Sequence, residues 1–250
     1  MSDYQRNIDL GSLWETMQAE AQQDIEAFPL LADLLTPTLI KPNSLSAGLS
    51  AVLARHLAMN ASEIDAWQAQ IDELYVQQAD LVRAAEQDLL CQLQANAAIK
   101  NHYTPLLYFA GFHALQCYRL AHHCWHNNGQ AMAIYIQSRI LEKFSVDVHP
   151  AAKIGVGIFM DHAVGIVIGE TAVIEDDVTI FQGVTLGGTG KASGDRHPKI
   201  RQGVFIGCGA QILGNIEIGA NAKVGAGAVV VKPVAPGATV LGPVAKPYNN

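Results

Sequence analysis

From residue 168 the chain keeps a period of six. Apolar residues stand at Ile168, Ile174, Ile180 and Leu186, and resume after an interruption at Ile200, Ile206, Ile212, Ile218, Val224 and Val230. A small or β-branched residue follows four positions later at Ala172, Val178, Val184, Ala210, Ile216, Ala222 and Ala228. Glycine often comes directly after the leading residue, as at Gly169, Gly187, Gly207, Gly219 and Gly225. An α-helix, at about 3.6 residues per turn, cannot keep one face at a spacing of six. A parallel β-helix can, because each six-residue unit supplies one short strand and one turn, and about three units close a coil. The leading residue then points inward and glycine or a small residue takes the turn.

The frame breaks twice, near Asp161 to Gly165 and across Gly187 to Lys199. Insertions in repeat folds leave the coil as loops, and such loops are where function concentrates. Both breaks carry ionisable residues. The repeat ends near Val234, where prolines cluster.

Upstream, the text is helical: Ala, Leu, Gln and Glu are common and apolar residues recur at three- and four-residue intervals. Helices are expected over Leu10 to Phe28, after a cap at Asn43 or Ser44, and after a cap at Ser62. Others follow over Asp80 to Leu93, from Thr104-Pro105 unbroken to Trp125, and from Gln130 to Phe144. The expected organisation is α+β: a helical oligomerisation domain over 1–145, then a β-helix over 146–250 with an inserted loop at 187–199 and a short tail.

The formal net charge of -7, without a basic block, argues against nucleic acid or an anionic membrane as partner. Cys91, Cys117, Cys124 and Cys208 form no Cys-x-x-Cys pair and read as reduced thiols of a cytoplasmic protein. Neither a signal peptide nor a membrane-spanning run is expected.

His162 sits at the first break, where an imidazole can serve as a general base. Asp147 lies fifteen residues earlier, close to one coil, so adjacent coils would bring its carboxylate near that imidazole. A bland reading of His162 is a surface-turn histidine bonded to backbone, and Asp147 taken alone could equally be a helix-to-coil cap. Arg196 and His197 lie on the inserted loop, and arginine suits bidentate carboxylate recognition. The run Gly187-Gly188-Thr189-Gly190-Lys191 fails the phosphate-loop pattern, since Thr185 stands at its first glycine and Ala192 follows the lysine. A glycine amide there could instead face an oxyanion. His122 and His126 have metal-compatible spacing, but without the Glu of H-E-x-x-H a helix-face or intersubunit role is favoured.

These residues resemble the bacterial serine O-acetyltransferases. The resemblance rests on Thr104-Pro-Leu-Leu-Tyr108, Gly111-Phe-His-Ala-Leu-Gln116, Asp147-Val-His-Pro-Ala-Ala-Lys-Ile-Gly155 and Asp161-His-Ala163, and on Gly169-Glu-Thr-Ala-Val-Ile174, Val184-Thr-Leu-Gly-Gly-Thr-Gly-Lys191 and Gly194-Asp-Arg-His-Pro-Lys-Ile200. It implies a left-handed β-helix, trimers paired into hexamers, active sites between neighbouring coils, and direct acetyl transfer from acetyl-CoA to the L-serine hydroxyl without a metal. His162 would be the base and Asp147 its partner, with Glu170 assisting. Asp161, Arg196, His197 and Asn96 would bind the acceptor, and Gly188, Lys191, Cys208 and Ala226 would face the coenzyme. Two positions depart from the family pattern: Asn96 stands where Asp is usual, and Val164 where Thr is usual. They leave open another small hydroxylated carboxylic acid as acceptor. The tail ending in Asn250 lacks the apolar terminus that docks into O-acetylserine sulfhydrylase, so that complex is not expected. Two rivals differ in class: a zinc hydrolyase using His149, His162 and His197, and a non-catalytic assembly subunit.

Overall fold

A computed structural model describes residues 10–96, 98–190 and 193–246. These divide into two compact units, one reaching Phe109 and one starting at Ala110. The unit boundary and the change of periodicity near residue 145 do not coincide, because the last two helices group with the coil.

The first unit is helical. Its helices are α1 (Leu10–Ala27), α2 (Ala32–Leu35), α3 (Leu45–Leu57), α4 (Ile64–Gln77), α5 (Ala79–Ala95) and α6 (Thr104–Tyr108). Ser44 caps α3 by accepting from the Ala47 amide, as expected. The cap before α4 is not Ser62 but Asn60, whose side chain accepts from the Ser62 amide and opens a 3-10 turn that leads into the helix. Pro37 lies within a single π-helical turn, Thr36–Ile40. The expected unbroken helix from Thr104 is interrupted: Phe109 takes an extended conformation and ends α6.

The second unit begins with α7 (Ala110–His126) and α8 (Gln130–Phe144). Ser145, in the left-handed region, ends α8 and turns the chain into the coil. The coil is a parallel β-helix with three faces. The first face stacks the strands Asp147–Val148, Val167–Ile168, Thr185–Gly187, Gln211–Leu213 and Val229–Val230. The second stacks Lys153–Ile154, Val173–Ile174, Lys199–Ile200 and Glu217–Ile218. The third stacks Phe159–Asp161, Thr179–Phe181, Phe205–Ile206, Lys223–Val224 and Thr239–Val240.

The six-residue frame is the inward column of each face. Ile168, Leu186 and Ile212 stack in register on the first face, Ile174 and Ile200 on the second, Ile180 and Ile206 on the third. All of them are buried. Burying a side chain of this size contributes roughly 1.5–3 kcal/mol, so the column is the main source of the coil's stability. The coil runs past Val234, because Val240 still pairs with Val224 and Pro236 occupies a turn.

α7 lies against the first turns of the coil. Arg119 donates to the Gly155 carbonyl at 2.8 Å, His122 Nδ1 to that of Pro150 at 2.7 Å, and the Tyr118 hydroxyl to that of Ala152. A Cβ at Gly111 would stand 2.1 Å from the Met160 carbonyl oxygen, so glycine permits this close approach.

Candidate active site

Most of the described residues singled out in the sequence lie at two corners of the coil, flanking the first face. The corner entering that face holds His162, on the turn between the third and first faces. His162 and Ala163 both have positive φ, 55° and 62°. Left-handed backbone at consecutive non-glycine residues is sparsely populated and is held here by the turn, where Gly165 donates to the Ser145 carbonyl at 2.7 Å. The imidazole is thereby turned outward, with 73% of the side chain exposed. Its nearest carboxylate is Asp161, with Nε2 to Oδ2 at 3.8 Å, which is too long for a hydrogen bond.

Asp147 begins the first face one coil earlier and pairs with Val167. The structure thus places Asp147 and His162 on successive coils at one corner, but no hydrogen bond joins them. The Asp147 carboxylate instead accepts from Gln137 of α8, Nε2 to Oδ1 at 2.7 Å.

The same corner continues through the later coils. Gly183 donates to the Val164 carbonyl, Gly209 to that of Gln182 and Gly227 to that of Cys208. Val164, Gln182, Cys208 and Ala226 therefore form one column beside His162, which puts two of the expected coenzyme contacts, Cys208 and Ala226, on the base's corner.

The corner leaving the first face is charged and densely bonded. Arg196 Nη2 donates to Glu170 Oε2 at 2.7 Å. This guanidinium holds the Glu170 carboxyl below the usual carboxylate range. His197 is only 7% exposed. Burial, followed by the Arg196 charge, pushes its imidazole below the ordinary histidine value, so it is neutral at neutral pH. Its place exists because residue 169 is glycine: a Cβ there would stand 2.1 Å from the ring. Gly188 lies over the Arg196 side chain, its Cβ position 3.5 Å from Cγ.

The sequence reading did not assign Thr171 a role, although it lies within the quoted Gly169–Ile174 segment. Its hydroxyl accepts from the Arg196 amide at 3.0 Å and the His197 amide at 3.1 Å. The signal was its position, directly after Glu170 and one coil before the loop. His149 also belongs to this corner. Its Nδ1 accepts from the Ala151 amide at 3.1 Å, and Trp125 packs edge-on against its ring. Burial lowers its pKa, while the Glu170 and Asp147 charges oppose that shift.

Asn96 lies in the first unit, with its side-chain oxygen accepting from the Ala98 amide at 3.0 Å. Lys191 and Asn250 fall outside the described residues. Among the described residues, no three histidine, cysteine or carboxylate side chains gather as a metal site. The nominated zinc set fails for a geometric reason, because His162 stands on a different corner from His149 and His197. No described helix is long and apolar enough to cross a membrane, and all four cysteines are free thiols.

Chemically, one corner offers an exposed imidazole with carboxylates nearby, and the other a guanidinium, the buried imidazole of His197 and the half-buried one of His149. Comparison with known proteins places the chain among its relatives. A family profile described as the N-terminal domain of serine acetyltransferase matches residues 13–117, and the bacterial transferase hexapeptide profile matches residues 197–232. The serine acetyltransferase of Salmonella typhimurium is 49% identical over 94% of this chain and 86% of its own. A solved serine acetyltransferase in complex with cysteine superposes with a TM-score of 0.89 at 47% identity, covering 94% of this chain and 98% of that one. Another, in complex with CoA, gives 0.87 at 45% identity over 95% and 99%. With half its residues shared across nearly the whole length and the same coil, the chain belongs to the serine acetyltransferase family.

Proposed function

We propose that the chain transfers the acetyl group of acetyl-CoA to the hydroxyl of L-serine, giving O-acetyl-L-serine and CoA, with His162 as general base. The observation that carries this reading is the pairing of an outward-facing imidazole on one corner with the Arg196–His197 carboxylate site on the other. The acceptor carboxylate takes Arg196, competing with Glu170 for the guanidinium. His162 removes the hydroxyl proton as the oxygen attacks the thioester carbonyl. Asp147 stabilises the imidazolium, the Gly188 amide faces the oxyanion, and as the intermediate collapses the CoA thiolate leaves and takes the proton back from His162. No acyl-enzyme forms, so the reaction needs no activated Cys or Ser. Lys191, Cys208 and Ala226 are assigned to the coenzyme, and Asp161 and Asn96 to the acceptor.

The two corners lie on opposite sides of the first face, a span of up to roughly 20 Å for six extended residues. We therefore read the site as completed between copies. In a trimer, the His162 corner of one copy meets the Arg196 corner of the next, and pairing of trimers through the helical unit gives a hexamer. The exposed Val167, Val229 and Val231 on the intervening face fit burial in such an assembly. A cytoplasmic location suits the free thiols.

A second acceptor class, another small hydroxylated carboxylic acid, is favoured by Asn96, whose side-chain oxygen already accepts from the Ala98 amide and which carries no charge for an amino group. The deciding experiment is CoA release from acetyl-CoA with L-serine, homoserine, threonine or glycerate. The expected result is fastest turnover with serine, falling by about 10²–10⁴ in His162→Ala. Faster turnover with glycerate would establish the second class, and no turnover with any acceptor would revive the assembly-subunit reading.

A further inference from the structure

We propose that Thr171 is a positioning residue that fixes His197 as a pure hydrogen-bond donor and holds Arg196 beside it. Acceptor binding, and not proton removal, is then the whole task of this second histidine.

The Thr171 amide points at His197 Nδ1 at 3.1 Å. A backbone N–H can only donate, so Nδ1 must present its lone pair. In a neutral imidazole the single proton then resides on Nε2. Burial and the Arg196 charge keep the ring neutral, so this tautomer is the one present at neutral pH. Nε2 makes no hydrogen bond to another described residue. The ring therefore offers one N–H that a bound carboxylate or hydroxyl oxygen can accept.

The Thr171 side chain adds the second half of the device. One hydroxyl oxygen accepts from both the Arg196 and His197 amides and approaches His197 Nδ1 at 2.9 Å. The Thr171 carbonyl accepts from Lys199 Nζ at 2.8 Å, so the far end of the loop is tied to the same residue. The 188–198 excursion is thus fastened at its return to the coil by one side chain and its backbone.

No backbone amide is bonded to a ring nitrogen of His162 among the described residues, and its side chain is exposed. The two histidines are therefore not interchangeable: one can act as a base, and the other has been denied that role by its backbone neighbour.

The assignment rests on the reading that Arg196 and His197 take the acceptor. Two variants and a spectroscopic arm test it. Thr171→Val keeps the shape and the amide but loses the hydroxyl, and Thr171→Ser restores it. Thr171→Val is expected to raise the acceptor KM about tenfold or more with the acetyl-CoA KM unchanged, and Thr171→Ser to recover it. Imidazole ¹⁵N shifts of the ligand-free wild-type chain should report protonated Nε2 and bare Nδ1 at His197. An unchanged acceptor KM in Thr171→Val, equal defects in both variants, or a protonated Nδ1 would overturn the proposal. The shifts need no turnover. A protonated Nε2 in a chain that acetylates nothing would leave the geometry intact and refute only the acceptor reading.

Discussion

Gln137 donates to Asp147 across 2.7 Å, so the carboxylate at the foot of the His162 corner is oriented by helix α8. One oxygen of that carboxylate is occupied by the Gln137 amide. Replacing Gln137 with Leu removes the orienting donor without removing the charge. A hydrogen bond to a charged group contributes about 1.5–3 kcal/mol, so kcat should fall roughly tenfold with little change in either KM. Steady-state kinetics on Gln137→Leu check this. An unchanged kcat would separate Asp147 from the proton transfer.

The two corners make a sharper prediction about assembly. His162→Ala spoils one corner and Arg196→Ala the other, so each variant alone is inactive. If sites form between copies, mixing and re-assembling the two variants creates some interfaces that join an intact corner to an intact corner. For a ring of three filled at random from equal parts, about a quarter of the sites are whole. Re-assembled mixtures should therefore regain activity, up to roughly that share, whereas separately re-assembled variants should not. Failure to regain any, in mixtures shown by mass to contain both chains, would place the whole site within one copy.

Protonation should weaken the fold in a defined window. His122, His149 and His197 all have pKa values depressed chiefly by burial. Near an unfolded histidine pKa of about 6.5, the unfolded chain binds protons that the folded chain refuses. Their contribution is therefore complete above that pH and declines as the pH falls toward the folded values. Tm should be level from about pH 8 to 7 and drop between about pH 7 and 5, as thermal melts would show. Glu170, Glu175 and Asp195, depressed by Arg196, Arg201 and Lys199 respectively, add losses of the same sign at lower pH, below the usual carboxylate range.

Gly111→Ala inverts an ordinary rule. Within a helix the change normally stabilises by about 0.5–1 kcal/mol. Here the new methyl would stand 2.1 Å from the Met160 carbonyl oxygen, and backbone must move to admit it. A net loss of roughly 1–3 kcal/mol is expected, read as a lower urea midpoint with an unchanged slope.

The coil was legible because its spacing is set by geometry that nothing else in a protein imitates. Each leading residue, from Ile168 to Val230, does occupy an inward position. Helix existence was legible from periodicity, but two boundaries were not. Asn60 and Ser62 are both good caps, and only the backbone conformation chooses between them. The break at Phe109 leaves no trace in the text, since neither glycine nor proline marks it. At the site, residue types with obvious chemistry stood out, as did the frame breaks that hold them. Thr171 did not, because a threonine is common in a coil turn and its importance comes from a loop that returns to it 25 residues later. The Gln137–Asp147 bond was equally hidden, since a glutamine on a helix gives no hint of its partner.

The register across the 188–198 excursion has a practical meaning. Leu186 pairs with Ile168 before it and Ile200 with Ile174 after it, as though nothing had been inserted. The ladder does not count the residues between its rungs there. That makes the excursion a natural seam, where the chain could be nicked with the stacked core none the wiser. It is also where a lineage could lengthen or exchange a loop while leaving the rungs on either side in register.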